Sequence, residues 1–124
     1  MDTQPRRILI VDDEAGFTRL LKLTLEGTKR YIVKEENDGS QALAVARQFR
    51  PDLILLDIIM PKMDGGDVAR QMASDPILKD VKIIFLTAIV SQKETNSEIG
   101  GFPFLAKPVS LDAITQCIRE HLGA

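Results

Sequence analysis

Apolar residues in this chain alternate between two habits. Short apolar runs at Arg7–Val11, Leu53–Asp57 and Lys82–Thr87 read as strands, Tyr31–Glu36 is a further strand candidate ended by a turn, and Phe102–Ala106 is a weaker fifth. Between them the apolar positions recur at helical spacing. Phe17, Leu20, Leu21 and Leu25 predict a helix over 15–27, with Gly27 as its stop. Ala42, Leu43, Ala46 and Phe49 predict one over 40–50, closed by Pro51. Val68, Ala69 and Met72 mark a short helix over 66–74. Leu111, Ile114, Ile118 and Leu122 mark a last one over 110–122, with Ser110 placed to cap it. Asn37-Asp38-Gly39 and the DPILKD stretch at 75–80 read as turn and loop.

Strands and helices thus alternate five times, and three of the strands are apolar on both faces. That pattern predicts an α/β fold, a doubly wound parallel sheet with helices on both sides. In such sheets ligands bind beyond the carboxyl ends of the strands.

Composition narrows the picture further. The 124 residues suit a single domain, 1–124, and the chain is 44% hydrophobic and 27% charged. A net charge of -2 argues against direct nucleic-acid binding, and Arg6-Arg7 is too short a basic stretch to reverse that. No apolar run approaches the roughly 18 residues of a membrane span, and MDTQPRRILIVDDE is no secretory signal. The sole cysteine, Cys117, cannot form an internal disulfide, and a cytoplasmic location is expected.

The strand ends carry the chemistry. Strand one ends in Asp12-Asp13, with Glu14 next; strand three ends in Asp57; strand four in Thr87-Ala88; strand five runs into Lys107-Pro108. Singly, each has a plainer reading: an acid pair at a helix start, a solvated strand end, a loop. Together they are the parts of a phosphoryl-transfer site. Three crowded carboxylates repel and call for a hard cation, Mg2+ or Mn2+. Lysine, hydroxyl and metal would grip a phosphoryl group, and Asp57 would be its nucleophile.

With VDDE at 11–14, LLDIIMPKMDG at 55–65, LTA at 86–88 and AKPV at 106–109, the chain closely resembles the receiver domain of bacterial two-component response regulators. The resemblance covers Ile8 to Leu122. It implies a five-stranded parallel sheet of order 2-1-3-4-5 with five flanking helices. It implies that Asp57 accepts a phosphoryl group from the phosphohistidine of a histidine kinase or phosphotransfer protein. Asp12, Asp13, Asp57 and the Ile59 carbonyl would hold the metal, one of the Asp12-Asp13 pair through water. Lys107 would pair with the phosphate, Thr87 would bond it in the active state, and small Ala88 would leave it room. Thr87 and Phe104 would form the switch. The Lys107-Pro108 peptide is expected to be cis, and Gly65 to hold a backbone conformation other residues resist.

Four features depart from the family pattern. The stretch IVSQKETNSEIGGFPFLAK at 89–107 is poor in apolar residues, which predicts a short or mobile fourth helix. Pro103 predicts an edge strand. Phe104 lacks the hydroxyl of the family's common tyrosine. Ile59, beside the phosphoryl position, is expected to hinder an attacking water and lengthen the phosphoryl lifetime. His121 reads as a surface residue near a helix end and Cys117 as structural.

The chain stops at Ala124, just after the last helix. It is expected to be a stand-alone receiver that docks a downstream protein, as a monomer or a phosphorylation-dependent dimer. The alternative is a receiver cut from a hybrid kinase or multidomain regulator. An aspartate-nucleophile phosphatase is disfavoured because its acid pair is Asp-x-Asp rather than adjacent. A degenerate phosphate-independent module is disfavoured because it has no need of all five site residues.

Overall fold

A computed structural model of the chain describes residues 4–61, 63–88 and 98–123. In chain order the elements are β1 (Arg6–Val11), α1 (Ala15–Gly27), β2 (Tyr31–Glu36), a 3-10 turn (Gly39–Gln41), α2 (Ala42–Phe49) and β3 (Leu53–Asp57). There follow β4 (Ile59–Met60), β5 (Met63–Asp64), α3 (Gly65–Ser74), β6 (Lys82–Thr87), β7 (Glu98–Ile99), β8 (Phe102–Ala106) and α4 (Leu111–Leu122). The main sheet runs β2-β1-β3-β6-β8-β7. Its first five strands are mutually parallel, as the alternating pattern implies.

All five residues of β3 are buried, because helices roof the sheet on both faces. Side chains alternate between two cores. Ile8, Ile10, Leu53, Leu55, Ile84 and Leu86 meet Leu21 and Leu25 of α1 and Ile114 and Ile118 of α4. Leu9, Val11, Ile54, Leu56, Ile83 and Phe85 meet Ala42 and Ala46 of α2 and Val68, Ala69 and Met72 of α3. The described residues include no helix long and apolar enough to cross a membrane.

Local chemistry ends the helices where the pattern placed their limits. Ser110 accepts a hydrogen bond from the Ala113 amide at 3.0 Å and starts α4. Arg50 turns left-handed (φ 57°) after α2, and the Arg7 guanidinium covers the exposed Phe49 carbonyl at 2.8 Å. The 75–80 loop is tightly held. Asp75 accepts from the Ile77 amide at 2.8 Å and from Arg47 at 2.6 Å, while Leu78 is buried in the second core. The Ile77 amide, with Arg47 adding to it, holds the Asp75 carboxyl below its usual range despite its burial.

One expectation needs amendment, and another lies outside the described residues. Four α-helices are present among the described residues. The predicted fourth helix of a five-helix set falls on 89–97, outside the described residues. The glycine-rich end of that stretch forms a hairpin. Gly100 and Gly101 take φ 58° and 89°, a turn that glycine allows, and β7 then pairs antiparallel with the start of β8. Pro103 therefore lies opposite Glu98, not at an open edge. β8 continues past this hairpin to pair with β6 over Phe104–Ala106.

Gly65 also needs a different account. Its φ is not left-handed; the positive-φ glycines among the described residues are Gly100, Gly101 and Gly123. What the position requires is close approach. A Cβ there would press on the Asp57 carbonyl and lie 2.6 Å from the Ile58 Cα, and the Gly65 amide donates to the Ile58 carbonyl at 2.8 Å. Two backbone segments meet there with no space for a methyl group. Gly65→Ala is expected to lower the unfolding free energy by about 2 kcal/mol. Urea denaturation is the measurement, and an unchanged midpoint would show that the segments can part without cost.

Candidate functional site

The carboxyl ends of β1, β3, β6 and β8 converge because the strands are parallel and adjacent. β3 ends at Asp57, in register with Leu86 of β6. Thr87 is in register with Ala106 of β8, and the Thr87 carbonyl accepts from the Lys107 amide at 2.7 Å. Asp12 follows β1 directly, with its amide donating to the Glu36 carbonyl at 3.1 Å. Five residues spread over 96 positions of chain therefore share one small volume.

Asp12, Asp13 and Asp57 each present a carboxylate oxygen within 4.8 Å of the others. Asp12 and Asp57 are buried and Asp13 is exposed. The Lys107 ammonium sits among them, 2.7 Å from Asp12 Oδ2, 2.9 Å from Glu14 Oε1 and 3.7 Å from Asp57 Oδ2. Asp12 is held by the Glu14 amide, which donates to its Oδ1 at 2.9 Å. Asp57 is held by the Ile59 amide, which donates to its Oδ1 at 3.1 Å.

The electrostatics follow from this crowding. Burial, reinforced by the Asp12 charge, pushes the Asp57 carboxyl up to about 6, although the Ile59 amide and Lys107 pull the other way. Burial alone would depress Lys107. Its hydrogen bonds to Asp12 and Glu14 outweigh that and hold it above the usual lysine value. One ammonium is thus shared by three acids, and Asp57 remains short of positive charge. An all-carboxylate donor set of this kind suits a hard divalent cation.

The other predicted residues fall around this centre. The Thr87 side chain is buried, and the alternation of β6 puts it on the same sheet face as Phe85. Phe104, in register with Phe85, packs partly buried on that face as well. Thr87 and Phe104 therefore share a face while Asp57 does not point into it. Ile59 is 53% exposed beside Asp57. The Lys107-Pro108 peptide is cis, as the resemblance implies. Lys107, Pro108 and Ala88 line a hollow of about 410 Å³ with Glu14, Phe17 and Val109.

Two contributors carry no distinct sequence signal. Glu14 read only as a third acid, yet it is a direct partner of Lys107. Asn37 read as a turn residue, yet its amide donates to the Asp12 carbonyl at 2.8 Å and to the Thr18 hydroxyl at 2.9 Å, which secures the start of the acidic loop. On α4, the His121 ring nitrogen contacts the Cys117 carbonyl at 2.8 Å, far along the chain from the site residues. Cys117 itself is buried, and burial, with Glu120 adding to it, pushes its thiol up.

An acidic trio and a lysine at the ligand end of a doubly wound sheet define the receiver class of signalling domain. Residues 8–119 match the response regulator receiver domain family, and the chain belongs to it. The probable transcriptional regulator ycf27 of Pyropia yezoensis is 39% identical over 126 residues, covering 98% of this chain and 49% of that protein. The DNA-binding response regulator MtrA of Mycobacterium tuberculosis is 36% identical over 124 residues, covering 98% and 53%. The chain thus spans about half the length of the curated relatives it matches. Among solved structures, a CheY-like response regulator receiver domain protein from Methanospirillum hungatei superposes with a TM-score of 0.84 at 27% identity, covering 97% of this chain and 95% of that one.

The raised Asp57 carboxyl has a consequence for stability. An acid that titrates higher in the folded than in the unfolded chain makes the folded state bind more protons between the two values, here 3.8 and about 6. Stability therefore falls as pH rises through that window, and the cost of ionised Asp57 is fully present at pH 7. Asp57→Asn, in a metal chelator, is expected to raise the unfolding free energy by about 1–2 kcal/mol at pH 7, with the gain gone near pH 4. Urea melts at the two pH values test this; an equal effect at both would remove burial as the cause.

Proposed function

We propose that this receiver is a phosphoacceptor whose Asp57 takes a phosphoryl group from the phosphohistidine of a histidine kinase or phosphotransfer protein. The observation that carries the reading is the arrangement around Asp57. A buried carboxylate ends the central strand with two further acids within 4.8 Å, and an ammonium stands 3.7 Å away.

A carboxylate oxygen of Asp57 attacks phosphorus, the bond from phosphorus to the histidine nitrogen breaks, and the imidazole leaves with that electron pair. The Ile59 amide holds the other Asp57 oxygen and so aims the attacking one outward. Asp12, Asp13 and Asp57, with the Ile59 carbonyl, are the residues that would hold Mg2+ or Mn2+. When bound, the cation would neutralise charge on the transferring phosphoryl oxygens. Lys107 pairs with the phosphoryl group, and the Thr87 hydroxyl turns towards it.

Thr87 and Phe104 share a sheet face, which supports reading them as one switch. A shift at Thr87 opens or fills space that Phe104 also contacts, and phosphorylation selects between the two packings. The downstream partner is proposed to be a protein, since a net charge of -2 offers no strongly basic face for DNA. A cytoplasmic setting and a single-domain boundary at 1–124 belong to the same proposal.

Incubation with acetyl phosphate and Mg2+ is expected to add one phosphoryl group by intact mass. That gain should be absent in Asp57→Ala and absent in chelator. No gain with any phosphodonor would sink the reading.

Ile59 gives a second test. Its half-exposed side chain lies two residues past Asp57, which supports reading it as a shield against water at the phosphoryl group. Ile59→Asn is therefore expected to lose the label several-fold faster than the parent, by on the order of 1 kcal/mol in barrier. Slower loss would refute the shielding role.

A further inference from the structure

We propose that Glu14 is a positioning residue that receives the Lys107 ammonium when Asp12 turns to a divalent cation. The inference rests on the phosphoacceptor reading, because it needs Asp12 to be a metal ligand. Its starting point is a conflict of charge. Lys107 lies 2.7 Å from Asp12 Oδ2, and Asp12 belongs to the trio whose oxygens lie within 4.8 Å of one another. A divalent cation drawing on that one buried carboxylate repels the ammonium and weakens its hold there. Metal binding therefore favours withdrawal of the ammonium.

The structure supplies the place to which it withdraws. Glu14 Oε1 already lies 2.9 Å from the ammonium, on the solvent side, with the Glu14 side chain 64% exposed and that of Lys107 15% exposed. The hollow of about 410 Å³ lined by Glu14, Phe17 and Lys107 gives the lysine stem room to swing. The Phe17 ring centroid, 5.2 Å from Nζ, offers the ammonium a second favourable contact on that side. The backbone does not need to move. The Lys107 amide stays on the Thr87 carbonyl at 2.7 Å, and the side chain alone pivots.

Glu14 thus turns a displacement into an exchange, in which Lys107 leaves Asp12 while keeping one carboxylate. Being exposed, the Glu14 pair is also weak enough to yield when a phosphoryl group on Asp57 claims the ammonium. Without Glu14, Lys107 has only Asp12 and Asp57 to hold, and it competes harder with the metal.

The test is a double-mutant cycle on Mn2+ affinity, read by electron paramagnetic resonance of free Mn2+ in the unphosphorylated full chain. Glu14→Gln is expected to weaken Mn2+ binding three- to tenfold in the parent and by less than twofold in Lys107→Ala. Lys107→Ala alone is expected to tighten binding. Circular dichroism confirms that each variant is folded. Equal weakening by Glu14→Gln in both backgrounds would mean that Glu14 acts only as a nearby negative charge, and the proposal falls. No weakening in the parent overturns it too. A parent that binds no Mn2+, or binds it equally well in Asp13→Asn, overturns the phosphoacceptor reading itself, and with it this inference.

Discussion

The site depends on a constraint that has nothing to do with phosphate. A strand at the centre of a parallel sheet is covered by helices on both faces, so every side chain it carries until its last residue must be apolar. β3 obeys this over Leu53–Leu56 and then ends in Asp57, still buried, at the edge where three neighbouring strands also end. The same burial that stabilises the strand strips water from the carboxylate. That makes the acid hard to ionise and receptive to any cation that can reach it. Register then does the rest. The pairing of β3 with β6, and of β6 with β8, fixes Asp57, Thr87 and Lys107 relative to one another without help from loops.

Charge at the site is deliberately unbalanced in its effect. Counting Glu14, four acids surround one lysine, and that lysine divides its hydrogen bonds between Asp12 and Glu14 while standing farther from Asp57. A domain built only for stability would gain by replacing a buried acid with an apolar residue. The strain is tolerable because the unsatisfied acid is the one with chemical work to do. The fold carries the cost on a wide base: two apolar cores, one on each side of the sheet, and pinned connections such as the Arg47–Asp75 pair.

Much of this was legible in the sequence. Apolar runs located β3 and β6 to the residue, apolar residues bounded by turn signals located β2 and β8, and helical spacing with Gly27 located α1, because core burial shapes these patterns. The convergence of Asp12, Asp13, Asp57, Thr87 and Lys107 followed from one rule about parallel sheets. What escaped has a common cause: it depends on how segments approach one another in space. Gly65 read as a conformational glycine, but it is small because the Asp57-Ile58 backbone lies against it. Gly100-Gly101 lie in a stretch that read only as poor in apolar residues, and the pairing of Ile99 with Phe102 makes its end a hairpin. Glu14 is one acid among three in VDDE, and no spacing rule separates a metal-facing carboxylate from one that faces a lysine 93 residues away.

The lone thiol has a practical bearing. Cys117 faces inward on α4, and its raised titration leaves little of the nucleophilic thiolate at neutral pH. Alkylating reagents are expected to react more slowly with Cys117 than with an exposed thiol. A cysteine introduced on an outer surface could then carry a spectroscopic label by itself, with no need to delete the native one from the core.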